Sequence, residues 1–191
     1  LEQRVMPEMQ TNPDLENTGI ITIVPMKPLS ESKSRLAKSF SQEDREELSL
    51  GLLRRVTEAV KASSIGELWV VGGDTRVRDA ARNAGGQWIE EMGQDLNDTL
   101  GKAFERAFEL GSAAMYLASD LPFIKASDVL SVQEASRQQN NISLAPARRD
   151  GGTNAILVPK GELFRPELGG KSFIRHLSQA AQLGISVAIC Y

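Results

Sequence analysis

Ile20-Ile-Thr-Ile-Val-Pro-Met-Lys-Pro-Leu-Ser-Glu-Ser-Lys-Ser-Arg-Leu36 is the stretch on which the fold turns. Its first five residues are apolar or β-branched and predict a buried strand over 20–24. Pro25 and Pro28 lack a backbone donor and are expected to stop ladder and helix alike. Beyond them lies a loop of small hydroxyl residues in which Lys27, Lys33, Arg35 and Lys38 stand against one anion, Glu31, a local excess of +3. In an α/β chain, a basic loop at the carboxyl end of the first strand is where a nucleotide phosphate sits. A solvated loop that happens to be basic would look the same.

Downstream of that loop, Ser41-Gln-Glu-Asp44 has the form of a capping box and opens a helix. Its apolar face is read from Leu48, Leu52, Val56 and Val60 and runs to about residue 62. A strand over 67–71 ends at Gly72-Gly73-Asp74, and a short helix over 76–84 ends at Gly85-Gly86. A brief strand over 87–89 leads through an acidic loop to Asp95, which caps a helix burying Leu100, Phe104, Ala107 and Phe108. The apolar run 113–118 predicts a central strand. A helix from 127 to about 138, strands over 142–147 and 154–158, a helix over 173–183 and a strand over 185–190 complete the pattern. Strands alternating with helices at this spacing predict an α/β fold, a mostly parallel mixed sheet with helices on both faces. Trp69, Trp88 and the phenylalanines fall at core spacing and are expected to pack.

A chain of 191 residues fits one domain, expected over 19–191. Residues 1–18 are polar, contain Pro7 and Pro13 and show no periodicity, so a disordered leader or a remnant of expression is expected there. A net charge of −3 gives no support to a nucleic-acid partner. Cys190 is the single cysteine, which excludes an intrachain disulfide and a thiolate metal cluster and fits a reducing cytoplasm. No apolar run reaches the length of a membrane span and nothing resembles a signal peptide, so a cytoplasmic protein without a membrane partner is expected.

Three places carry candidate chemistry. Asp120, in Ser119-Asp-Leu-Pro122, follows a buried strand at the sheet's carboxyl edge, where a hard carboxylate suits Mg²⁺ shared with substrate phosphates. A turn or helix-capping aspartate fits the same position. Gly151-Gly-Thr153 allows backbone amides to approach an anion, and equally fits a hairpin turn. Gly169-Gly-Lys-Ser172 has the ending of a P-loop, but the required earlier glycine is Arg165 and no strand precedes it. As a turn opening a helix at Ser172 it still makes a phosphate or carboxylate pocket. His176, the lone histidine, has no metal-ligand partner and is read as a surface or packing residue. No nucleophile elbow, Cys/His constellation or dinucleotide glycine fingerprint is present.

Together, Pro25-Met-Lys-Pro-Leu-Ser-Glu-Ser-Lys-Ser-Arg-Leu36, Asp95-Leu-Asn97, Ser119-Asp-Leu-Pro122, Gly151-Gly-Thr-Asn-Ala155 and Gly169-Gly-Lys-Ser-Phe-Ile-Arg-His176 resemble the 2-phospho-L-lactate guanylyltransferase family of coenzyme F420 biosynthesis, which includes phosphoenolpyruvate guanylyltransferases. The resemblance implies a Rossmann-like nucleotidyltransferase α/β/α sandwich. It implies GTP over the first loop with Lys27, Lys33 and Arg35 at the triphosphate, Asn97 in the nucleoside pocket, Mg²⁺ on Asp120, and the phosphorylated acid on Thr153, Gly169 and Ser172. Asp120, Lys33 and Arg35 would carry catalysis. The acceptor would be 2-phospho-L-lactate, phosphoenolpyruvate or 3-phospho-D-glycerate, and the labile product would pass to the next enzyme of that pathway. The family usually has a further acidic Asp-x-Asp motif just beyond the last strand, past Tyr191; either this sequence is a piece of a longer chain or metal binding is incomplete in this form. Two other readings stay open: a nucleotidyltransferase of the same fold acting on a molybdopterin or sugar phosphate, and a non-catalytic GTP-binding module.

Overall fold

The computed structural model describes residues 19–137 and 139–191; the leader expected over 1–18 lies outside them. The elements are β1 (Ile20–Met26), α1 (Gln42–Ser63), β2 (Gly66–Gly72), α2 (Thr75–Asn83), β3 (Gln87–Ile89), α3 (Leu96–Glu109), β4 (Ala113–Leu117), α4 (Ala126–Ala135), β5 (Ile142–Ala147), β6 (Gly152–Val158), α5 (Ser172–Leu183) and β7 (Val187–Ile189). The strands form one sheet in the order β3-β2-β1-β4-β6-β5-β7. Only β6 runs antiparallel to its neighbours; the other pairings are parallel.

Each inner strand is apolar on both sides, as a sheet covered on both faces requires. Alternation then sorts its residues into two cores. Ile20 and Val24 of β1 join Leu53 and Val56 of α1, Val77 of α2 and Val129 of α4 on one face. Ile21 and Ile23 join Leu100 and Phe104 of α3, Phe164 and Ala180 of α5 on the other.

Four expectations need correction. β1 does not stop at Pro25: it pairs with β2 through Met26, although its pairing with β4 ends at Ile23. One edge of the strand is therefore open where Pro25 sits, and its missing N–H interrupts no ladder on that side. The capping box at Ser41 and Asp44 is formed, but the buried stripe of α1 runs through Leu50, Leu53, Val56, Thr57 and Val60. Leu48 is exposed and Leu52 only half-buried, because a strict every-fourth row drifts around a helix of 3.6 residues per turn. Phe40 and Phe123 are exposed rather than packed, Phe123 by 85%; both lie in loops, where no periodic face steers a ring inward. Finally, α4 is capped at Ser136 and followed by left-handed Arg137, so it ends before the expected limit near 138, a residue outside those described.

Candidate active site

β1 has β2 on one side and β4 on the other, so consecutive crossovers leave it in opposite directions. Open α/β sheets have their ligand crevice at such a switch point, outside the carboxyl ends of the strands. Past Ile23 the two strands part, and the loops following them meet again above the gap. Lys33 Nζ donates to Asp120 Oδ2 at 2.6 Å, joining residues 87 positions apart in sequence.

The loop after β1 is held by two further ties. Two short 3-10 turns, Leu29–Glu31 and Ser34–Leu36, are separated by Lys33 in the left-handed conformation, φ 50°. Leu29 is buried, and its N–H donates to Asp74 Oδ2 at 2.8 Å. The other oxygen of Asp74 caps α2 by accepting from the amides of Arg76 and Val77, so one carboxylate ties loop to helix. Arg45 of α1 donates from Nη1 to Ser32 O at 3.1 Å.

Below this loop opens a cleft of about 680 Å³ lined by Lys27, Lys33, Asp120, Glu91, Asp95 and Thr99, among others. Its far wall is the loop between β3 and α3, which lies close on the first turn of that helix. A Cβ on Gly93 would stand 2.3 Å from Thr99 N, so only glycine permits the approach. Asp95 accepts from the amides of Asn97 and Asp98 and starts α3. Asp98 is held below the usual carboxylate value by hydrogen bonds from Lys102 and from the Gln94 amide. Thr99 Oγ1 is buried without a partner among the described residues.

On the other side of β4, the antiparallel sense of β6 brings its amino end to the same rim. Ala118 N–H donates to Asn154 O at 2.8 Å, which ties the end of β4 to β6 next to Thr153. Thr153 Oγ1 lies 3.0 Å from Ser172 Oγ and 3.0 Å from His176 Nδ1. Nε2 of the same imidazole accepts from the Glu167 amide at 2.9 Å. His176 is fully buried, and its pKa is lowered from 6.5 to about 4, first by burial and then by the Arg175 charge. Burial, and then the Asp120 charge, pushes the Tyr116 hydroxyl well above its usual value. Residues 164–171 form an irregular loop clamped by Arg175, which donates to the carbonyls of Glu167, Leu168 and Gly170.

Lys27, Lys33 and Asp120 thus share one cleft, and Thr153 with Ser172 form a second group at the same sheet edge. Arg35 is exposed, has no hydrogen bond or ion pair among the described residues and does not line the cleft. Asn97 is also off the lining: its amide pairs both ways with the Leu168 backbone, accepting from N at 2.7 Å and donating to O at 3.3 Å. It joins the α3 side to the loop carrying Gly169, whose φ of 128° suits glycine. α5 begins at Ser172 behind left-handed Lys171. His176 is neither a surface nor a plain packing residue, since both ring nitrogens are engaged; a lone histidine in the sequence gives no hint of that. The capping role of Asp74 is readable from Gly-Gly-Asp-Thr-Arg, whereas its bond to Leu29 is not.

Among the described residues no three His, Cys, Asp or Glu side chains come together as a metal cage. The cleft offers the Asp120 carboxylate, half-exposed, with one oxygen taken by Lys33. That donor set fits magnesium, which takes one or two carboxylates and completes its shell with phosphate oxygens and water.

The model of the family described as "Guanylyl transferase CofC like" matches residues 20–191. The chain belongs to that family. It is an enzyme of the nucleotidyltransferase class. Among its relatives, a phosphoenolpyruvate guanylyltransferase from Rubrobacter xylanophilus is 32% identical over 90% of this chain and 84% of the relative. A 2-phospho-L-lactate guanylyltransferase from Methanocaldococcus infernus is 29% identical over 88% of this chain and 74% of the relative. Among solved structures, a protein described as a nucleotide-diphospho-sugar transferase from Desulfovibrio desulfuricans G20 superposes with a TM-score of 0.74 at 16% identity, covering 91% of this chain and 80% of that one. A nucleotidyl transferase from Methanothermobacter gives 0.59 at 15% identity, covering 90% and 87%. The two structural likenesses show the sandwich fold of the chain. No helix among its described residues is long and apolar enough to cross a membrane.

Proposed function

We propose that the protein transfers GMP from GTP to the phosphate of a three-carbon phosphorylated acid, phosphoenolpyruvate or 2-phospho-L-lactate, with release of pyrophosphate. 3-Phospho-D-glycerate is the third acceptor to test, and coenzyme F420 biosynthesis is the setting this reaction fits. The observation that carries the reading is the Lys33–Asp120 contact at the mouth of the switch-point cleft, with the Thr153/Ser172 hydroxyls on the other side of the same strand end. A cation for a triphosphate and hydroxyls for a second anion then stand at one sheet edge.

An oxygen of the acid's phosphate attacks the α-phosphorus of GTP; that P–O bond forms as the bond to the β-phosphate breaks, and pyrophosphate carries the electron pair away. A phosphate monoester is largely ionised at neutral pH, so no general base is needed. The protein's work is to align two anions and offset the charge on the departing pyrophosphate. In this reading Lys27 and Lys33 meet the triphosphate in the cleft, and Arg35, exposed outside it, adds only screened positive charge at longer range. Thr153, Gly169 and Ser172 receive the acid. Asn97 contributes at one remove, tying the nucleoside wall to the acid-side loop through Leu168. Magnesium bound at Asp120 would supply further neutralisation of the triphosphate.

The test is pyrophosphate release with GTP and each of the three acids in turn, with the guanylated product identified by mass. Product from one acid supports the proposal; nucleotide binding without pyrophosphate release from any of them overturns it. In the same assay Asp120→Asn is expected to lower kcat by at least about a hundredfold, the usual effect of losing a group aimed at transition-state charge, with an unchanged melting temperature. Wild-type turnover in that variant removes Asp120 from the machinery.

A further inference from the structure

We propose that His176 is a positioning residue for the phosphorylated acid: by accepting from the Glu167 amide and donating to Thr153, it fixes which way the Thr153 and Ser172 hydroxyl protons point. The inference rests on the reading above that these two hydroxyls receive the acid. Two neighbouring hydroxyls 3.0 Å apart are ambiguous by themselves, since either one donates equally well. The ambiguity ends at the imidazole. A backbone N–H only donates, so the bond from Glu167 N at 2.9 Å requires a lone pair on Nε2. The neutral ring then carries its proton on Nδ1, and Nδ1–H donates to Thr153 Oγ1. Thr153 in turn directs its own proton at Ser172 Oγ, its remaining partner. The Ser172 proton at the end of the series is left for an acceptor outside the trio.

That end lies at the first residue of α5, behind Lys171, whose side chain makes no capping bond. An anionic oxygen is the acceptor suited to a hydroxyl donor at a helix start. An imidazolium would point N–H at the N–H of Glu167 and break the series at its origin. Phe164 lies tilted against the ring, centroids 5.6 Å apart, and the charged neighbours are Arg175 and Glu167, so the neutral form is favoured by apolar contact and by a neighbouring cation. The ring also links the 164–171 loop to β6, so loop placement and hydroxyl orientation are set by one side chain.

His176 is the only histidine of the chain, which makes the tautomer directly readable. In untagged protein labelled with ¹⁵N-histidine, long-range ¹H–¹⁵N correlations should show Nδ1 protonated and Nε2 unprotonated near neutral pH. An Nε2-protonated ring or a fast tautomer mixture overturns the proposal, whether or not any variant folds. Kinetics supply the second arm, using the acid that supports pyrophosphate release. His176→Asn keeps an amide donor near Nδ1 and should leave KM for the acid within threefold. His176→Gln places its amide near Nε2, loses the donor to Thr153, and should raise that KM tenfold or more, with KM for GTP unchanged. Equal effects of Asn and Gln, or a lowered melting temperature with an unchanged KM in both, would mean packing alone and defeat the assignment. Thr153→Val separates the two levels. If it leaves KM for the acid unchanged, the acid subsite itself is wrong. If it raises KM while His176→Gln does not, only the role of His176 falls.

Discussion

Lys33 and Arg35 are two residues apart in the sequence and look equivalent there, yet only Lys33 lines the cleft. Its left-handed backbone puts it between the two 3-10 turns and in reach of Asp120. The ion pair itself contributes little stability, roughly 0–1 kcal/mol for so exposed a contact, so replacing the lysine is cheap for the fold. Lys33→Ala is therefore expected to raise KM for GTP by about tenfold, the loss of one charge-assisted contact, while Arg35→Ala changes it less than threefold. Steady-state kinetics on the two variants decide between cleft and surface. His176 supports a second prediction, on stability. Its folded pKa of about 4 lies below the ordinary 6.5 because burial, aided by Arg175, disfavours the imidazolium. The unfolded chain thus takes up a proton near pH 6.5 and the folded one only near 4. The histidine's contribution is intact above pH 6.5, is lost progressively as pH falls to about 4, and amounts to roughly 3 kcal/mol in total. Denaturant midpoints across that window should fall more steeply for the wild type than for His176→Asn.

At the scale of elements, the phosphate-side loop is held by its neighbours rather than by its own sequence. Asp74 caps α2 with one oxygen and receives the Leu29 amide with the other. Asp74→Ala removes both at once. Loss of a helix cap alone costs about 1 kcal/mol, and a buried amide left unpaired adds about 1–3 kcal/mol. A loss of about 2–4 kcal/mol by denaturant unfolding is expected, together with a higher KM for GTP, because the freed Leu29 lets the lysine loop shift. Ser41→Ala tests a cap with no such second duty: about 1 kcal/mol should be lost and kinetics should stay as they were. The contrast reflects position. Ser41 is exposed at the start of α1 and its side chain bonds, among the described residues, only within its own capping box, while Asp74 joins the loop to α2.

For the whole molecule, the sheet separates the two cores, and β4 is its middle strand. Met115 on β4 is fully buried in the core shared by α1, α2 and α4. Met115→Ala should cost about 2–5 kcal/mol by the loss of buried surface and the cavity left behind, read as a lower denaturant midpoint, with turnover at low temperature near that of the parent. How much of this plan was legible in the sequence follows from the range of each signal. Local signals sufficed for the order of strands and helices, the capping box at Ser41 and the cap at Asp95, because each depends on residues within one turn or one strand. The motifs shared with relatives pointed to the family. The buried stripe of α1 was misread where a simple spacing stood in for the real helical period. The hairpin reading of Gly151-Gly-Thr153 already turns β6 back along β5; tertiary structure alone inserted β6 between β5 and β4 and so carried Thr153 to that rim. It alone paired Lys33 with Asp120, left Arg35 outside, and enclosed His176 between Glu167 and Thr153. A sequence records which chemical groups are present and how they repeat along the backbone; distances between groups tens of residues apart are fixed only when the sheet orders its strands.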